Sequence, residues 1–205
     1  MSNLPDTFVD DRHAILSIAI KPRDTIRYVL TTKNLPYFIF VGVVGMFGSN
    51  LISFFGQKFT GEYTVGEIVY STFMSSFLLY FVSTLLSAGV LMLAAKIFGG
   101  VGKFKEMFRM ISMTMIPYIW ILPMVLFWMQ FAPQSFFNIP YMQPGMSDYI
   151  LQFICGTLII IASVWTFVIT IVGISEVHKI SKWKAFFASL FVVIILIILT
   201  WVALL

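Results

Sequence analysis

Five stretches of the chain, at about 36–56, 69–97, 108–131, 150–174 and 185–205, are apolar for long enough to cross a lipid bilayer. A hydrocarbon core of about 30 Å takes about 20 helical residues. Backbone N–H and C=O groups find no water there, so a single spanning segment has to be a helix that satisfies them itself. The sequence therefore predicts an all-α membrane protein, a bundle of five transmembrane helices. Composition leaves no soluble alternative: 60% of the 205 residues are hydrophobic and 11% are charged, against about 25% charged in soluble domains. No small-residue cleavage pattern follows the first run, which opens at Pro36, so no cleaved signal peptide is expected. The single cysteine, Cys155, lies inside a run; it can form no intramolecular disulfide and reads as a packing residue.

The ends of the runs carry position-specific signals. Trp183 and Trp201 stand 18 residues apart, about 27 Å along a helix, so both indoles can reach an interface. The third run contains Pro117 and Pro123 and should kink. The second is longer than a bilayer requires and is expected to tilt or protrude. Ahead of the first run, residues 1–10 read as a polar tail and residues 11–35 as an interfacial amphipathic segment. Pro22 and Asp24 suit the first turn of a helix there; Ile26, Val29 and Leu30 share one face, with Arg23 and Arg27 on another.

Basic residues set the expected orientation. Of 13 Lys and Arg, five fall in the N-terminal segment, four at 96–109, three at 175–184, and one, Lys58, elsewhere. With five spans the first three segments share a side, which the positive-inside rule makes cytoplasmic. The N-terminus is then inside and the C-terminus outside, in a cell membrane. A net charge of +4 distributed this way is a topology signal and gives no reason to expect a nucleic-acid partner.

Chemistry-bearing motifs are sparse. His13 and His178 belong to no HExxH motif or zinc-spaced cluster, and neither a GxxxxGK[ST] loop nor a GxSxG elbow occurs. No ionisable group lies near the middle of a span, which argues against ion-coupled transport. No cofactor is expected. Small and hydroxyl residues recur along two faces, Gly45, Ser49 and Ser53 (with Asn50) in the first run and Ser76, Tyr80, Ser83 and Ser87 in the second. Such faces let helices approach closely; the alternatives are a polar conduit or a self-association face that makes a homo-oligomer.

The connection from Lys96 to Pro117 gathers three glycines, four basic residues and one acid between two apolar runs. Its candidate residues are Lys96, Gly99, Gly100, Gly102, Lys103, Lys105 and Arg109; those of the 173–185 connection are Glu176, His178, Lys182 and Lys184. Glu176 can pair with Lys179 at i, i+3. Alternatively Glu176 and His178 meet the glycine turn, with Lys103, Lys105 and Arg109 as partners for the carboxylate. The basic rim as a whole can attract anionic lipid headgroups, at about 1 kcal/mol per cation near the surface, or can serve topology alone.

Lys96, Gly99, Gly100, Gly102, Phe104 and Pro117, then Glu176, His178, Ser181 and Ala185, with Lys21-Pro22-Arg23 upstream, together resemble the Yip family of five-span membrane domains, from about residue 15 onward. The eukaryotic members act in membrane traffic and bind small GTPases and other membrane proteins. They carry a long cytosolic N-terminal region and an Asp-Leu-Tyr-Gly-Pro-type motif before the first span. Neither stands in this sequence, so the resemblance is to the prokaryotic branch, some of whose members are thought to assist export transporters. It implies a non-catalytic adaptor that binds membrane proteins or lipids through its cytoplasmic face; a small-solute permease and an intramembrane enzyme are the alternatives. The twelve-to-one basic asymmetry predicts that cysteines introduced at Gln134 or Met142 label from outside intact cells with an impermeant thiol reagent. Cysteines at Lys103 or Lys182 should label only after permeabilisation, and labelling of either in intact cells reverses the orientation.

Overall fold

The computed structural model describes residues 14–59, 61–140 and 145–203, with the side chains of 196–200 and 202–203 left aside. The expected polar tail, Arg12, His13 and Met142 lie outside the described residues. Within them the chain is helical: α1 (Ala14–Ser17), α2 (Pro22–Thr32), α3 (Leu35–Ile52), α4 (Val65–Ile97), α5 (Phe104–Thr114), α6 (Ile116–Phe131), α7 (Pro133–Phe136), α8 (Met146–His178) and α9 (Lys182–Ala203). Four segments of the described chain are long and apolar enough to cross a membrane: α3, α4, α5 with α6, and α8. At 33 residues each, α4 and α8 extend about 50 Å and outrun the hydrocarbon core. The 22 residues of α9 follow, with Trp183 and Trp201 exposed toward its two ends.

Helix ends are cut by local chemistry. Thr64 and Glu67 form a reciprocal capping box at the start of α4: the Glu67 N–H donates to Thr64 Oγ1 at 3.2 Å and the Thr64 N–H to Glu67 Oε2 at 2.7 Å. The third run breaks at the first of its two prolines, while Pro123 lies inside a continuous α6. Pro117 cannot donate to the Met113 carbonyl, and the chain tightens at Met115, whose N–H donates to Ser112 O at 3.3 Å while its own carbonyl accepts from Tyr118 at 3.1 Å.

α3 packs against α4, α5 and α6, while α8 packs against α2, α5, α6 and α9. One large core joins Ile26, Val29, Phe38, Tyr80, Met107, Met110 and Ile174; a second, richer in aromatics, gathers Phe47, Trp128, Phe136 and Phe137 toward the other end. There the two long connections also join, as Gly56 donates to Phe136 O at 2.9 Å and Asn138 to Gln57 O at 2.9 Å.

The outward face is the more apolar one. Along α4, Thr72, Ser76, Tyr80, Thr84 and Ala88 are buried at every fourth position, while Phe73, Leu78, Leu86 and Leu93 are exposed. A water-soluble helix would be turned the other way; against lipid the small and polar stripe belongs inside. Most of its polar groups are engaged in packing, Thr84 Oγ1 being the buried hydroxyl left without a partner among the described residues. Asn50 of α3 donates to Ser76 Oγ at 3.0 Å and Ser76 to Thr72 O at 2.6 Å. The Tyr80 ring lies on Gly42, where any Cβ would collide with it, and its hydroxyl meets Ser112 Oγ at 2.8 Å. Of the expected second-run face, Ser76 and Tyr80 are buried, Ser83 is half-buried and Ser87 exposed; the buried stripe recurs every four residues, and Thr84 and Ala88 take those levels. In α3, Gly45 is buried and Ser49 half-buried; Ser53, just past its end, is exposed, its hydroxyl turned back to Asn50 O at 2.7 Å.

A Cβ at Gly45 would stand 2.5 Å from Met115 O, and one at Gly48 2.6 Å from Tyr118 O, so α3 lies directly on the broken backbone between α5 and α6. Gly45→Ala should therefore cost about 1–3 kcal/mol by overpacking, read as a lower melting temperature in detergent. Gly156→Ala, where nothing lies within 4 Å, should leave it unchanged or raise it; equal melting of both variants would refute the close contact.

Candidate functional site

The two connections singled out from sequence are built from tight backbone turns that lock onto each other. α4 ends in a Schellman motif: Gly99 takes φ +86°, its N–H donates to Lys96 O at 3.0 Å, and the Gly100 N–H donates to Ala95 O at 2.9 Å. α8 ends at Lys179 in the left-handed region, φ 55°, after which Ser181 caps α9 by accepting the Lys184 N–H at 3.3 Å. The Ser175 hydroxyl ties the turn by donating to Ile180 O at 2.6 Å.

His178 joins the two turns. Its carbonyl accepts the Val101 N–H at 3.2 Å and its Nδ1 accepts the Gly102 N–H at 3.2 Å, which leaves the proton of the neutral ring on Nε2. The imidazole is fully buried. Side chains on the turn would push it away: a Cβ at Gly100 would come within 2.5 Å of His178 Nδ1, and one at Gly102 within 2.9 Å of Val177 O. Gly99 has no such neighbour and is needed for its φ alone.

Glu176, 3% exposed, is the electrostatic centre of this end. Arg23 Nε donates to Oε2 at 2.9 Å, Arg27 Nε to Oε1 at 2.9 Å, Arg27 Nη2 to Oε2 at 3.2 Å and Lys179 Nζ to Oε1 at 2.8 Å. The hydrogen bond to Glu176 holds the Arg27 guanidinium above the usual arginine range. The i, i+3 pair with Lys179 is as expected, but Lys103, Lys105 and Arg109 are not the partners. α2 packs against α8 and puts Arg23 and Arg27 over the carboxylate. Lys103 and Lys105 point outward from the start of α5, and Arg109 lies over the Phe38 ring, 5.4 Å from its centroid. Sequence periodicity had put Arg23 and Arg27 on one face of α2; no local signal says which helix that face meets.

The remaining candidates form the margin. Lys96, Lys103, Lys105, Lys182 and Lys184 are exposed. The apolar side of α2 is spent on the core, since Ile26 and Val29 are fully buried. Among the described residues, no group of three or more His, Cys, Asp or Glu is placed to hold a metal.

An all-helical chain with four bilayer-length apolar segments and a polar stripe turned inward is a multi-pass integral membrane protein. The family model of the Yip1 domain matches residues 16–204, nearly the whole chain, and the protein belongs to that family. No curated protein matches the chain, and no solved structure does.

Removing the central charge tests the network. Glu176→Gln leaves three cations around a neutral amide and should lower stability by about 1–3 kcal/mol, a range reduced because the three partners are more than half exposed. Lys105→Gln should leave the melting temperature in detergent unchanged; equal effects of the two would remove Glu176 from its central place.

Proposed function

We propose that the protein is a non-catalytic scaffold with five spans, α9 being the fifth. Its N-terminus and basic end lie in the cytoplasm, its C-terminus lies outside, and α1 and α2 lie at the membrane surface of a cell membrane. On this reading the basic end docks acidic segments of other membrane proteins, an export transporter among the candidate partners, and attracts anionic headgroups around them.

One observation carries the reading: charge at this end is held in place and unbalanced. Among the described residues, eleven cations (Lys21, Arg23, Arg27, Lys33, Lys96, Lys103, Lys105, Arg109, Lys179, Lys182, Lys184) stand against three carboxylates, Asp24, Glu106 and Glu176. Lys103, Lys105, Lys182 and Lys184 pair with none of them. The turns that lead into the helix starts bearing these lysines are joined through His178, which fixes where their backbones start. A solute conduit draws less support, because Ser76 and Tyr80 are engaged in contacts between helices.

Lys103, Lys105, Lys182 and Lys184 changed together to Gln should lower the yield of membrane proteins crosslinked to the purified chain in native membranes. The parent's yield should itself fall with salt, as exposed charge contacts do. Unchanged partners in the quadruple variant, together with solute flux in liposomes holding only this protein and lost in Ser76→Leu, would establish the permease instead.

A further inference from the structure

Between α2, the first turn of α5 and the end of α8 lies an open cleft of about 170 Å³. That is smaller than the roughly 300–1,000 Å³ of pockets for drug-sized ligands. Its lining joins two cations, Arg27 and Lys179, two carboxylates, Glu106 and Glu176, and the apolar Leu30 and Val177. The charges differ in what they have left to offer.

Glu176 is spent, with both oxygens engaged and only 3% of the side chain exposed. It nevertheless aligns three cations on one negative charge, and two of them, Arg27 and Lys179, line the cleft. Arg27 meets it through Nε and Nη2, leaving Nη1 without an acceptor among the described residues. Lys179 is 66% exposed and uses one of its three protons. Glu106 is the opposite case: it is exposed, accepts the Lys103 backbone N–H at 3.2 Å, and pairs with no cation among the described residues. The small space therefore offers cationic donors and an unpaired carboxylate together. A bare phosphate would be drawn by Arg27 and Lys179 but repelled by Glu106; a bare amine meets the reverse.

We propose that this cleft holds the phosphoethanolamine headgroup of a membrane lipid. The phosphate lies on Arg27 and Lys179, the ammonium on Glu106, and Leu30 and Val177 flank the glycerol. The apolar pair favours a lipid over the free headgroup, and an ammonium that donates hydrogen bonds favours ethanolamine over choline. The site rests on the reading above that puts this face at a membrane surface. It uses none of the four lysines that test that reading, so either can fail alone.

The test is equilibrium binding to delipidated protein in detergent, followed by native mass spectrometry and by thermal shift. The probes are short-chain phosphatidylethanolamine, phosphatidylcholine and phosphatidylglycerol, with O-phosphoethanolamine and inorganic phosphate as soluble controls. Phosphatidylethanolamine should bind about tenfold tighter than the other two lipids, as loss of one charge-assisted contact implies. Glu106→Gln keeps a residue suited to its place in the first turn and should abolish that preference. Lys179→Gln leaves Arg23 and Arg27 on Glu176 and should weaken all three lipids about tenfold. Equal affinity for the three lipids in the parent, or a preference that survives Glu106→Gln, overturns the proposal. O-Phosphoethanolamine binding as tightly as the lipid overturns the lipid as its source, and inorganic phosphate doing so reduces the cleft to a simple anion site.

Discussion

Close backbone approach holds this bundle together. Lipid tails are as apolar as leucine, so burying Leu and Phe between helices gains little, and cohesion comes from contact and hydrogen bonding. Gly42, Gly45 and Gly48 give α3 one face without side chains, and three different groups use it: the Tyr80 ring, the Met115 carbonyl and the Tyr118 carbonyl. The last two flank Pro117, where the helix is interrupted, so the glycine face lies on the break between α5 and α6.

The same economy governs the basic end. Gly100 and Gly102 let the α4–α5 turn close on His178, and Gly173 does so deeper in, with Met110 seated against it where a Cβ would be. One buried carboxylate then fastens α2 to α8 through two arginines. Close packing and a single charge centre thus tie the N-terminal segment, the α4–α5 connection and the α8–α9 connection into one surface. That surface is where basic residues are in excess among the described residues.

Membership of the Yip1 domain family gives these features a common setting. The motif residues that carry the likeness have physical duties here: Gly99 reverses the chain, Gly100 and Gly102 admit His178, Glu176 gathers the cations, Ser181 caps α9, and Ala185 is fully buried where it begins. They describe a clasp between two halves of a membrane domain.

By itself the sequence determined the class of fold, the apolar segments, the break at Pro117, the turn at Gly99 and the gathering of basic residues, because each follows from local rules: length against bilayer thickness, a missing N–H, a left-handed φ. It also showed that Gly99-Gly100-x-Gly102 and Glu176-Val-His178 were unusual stretches. Only the tertiary structure decided which surfaces meet. Ser83 and Ser87 matched a helical spacing as well as Thr84 and Ala88 did, and only the direction from which α3 approaches chose between them. For Glu176 the sequence offered Lys103, Lys105 and Arg109 besides Lys179, and the packing of α2 on α8, where Ile26 and Val29 are buried, gave it Arg23 and Arg27 instead. Helix periodicity fixes which residues share a face; which face is turned to which neighbour depends on how all the helices pack at once, and no local stretch encodes it.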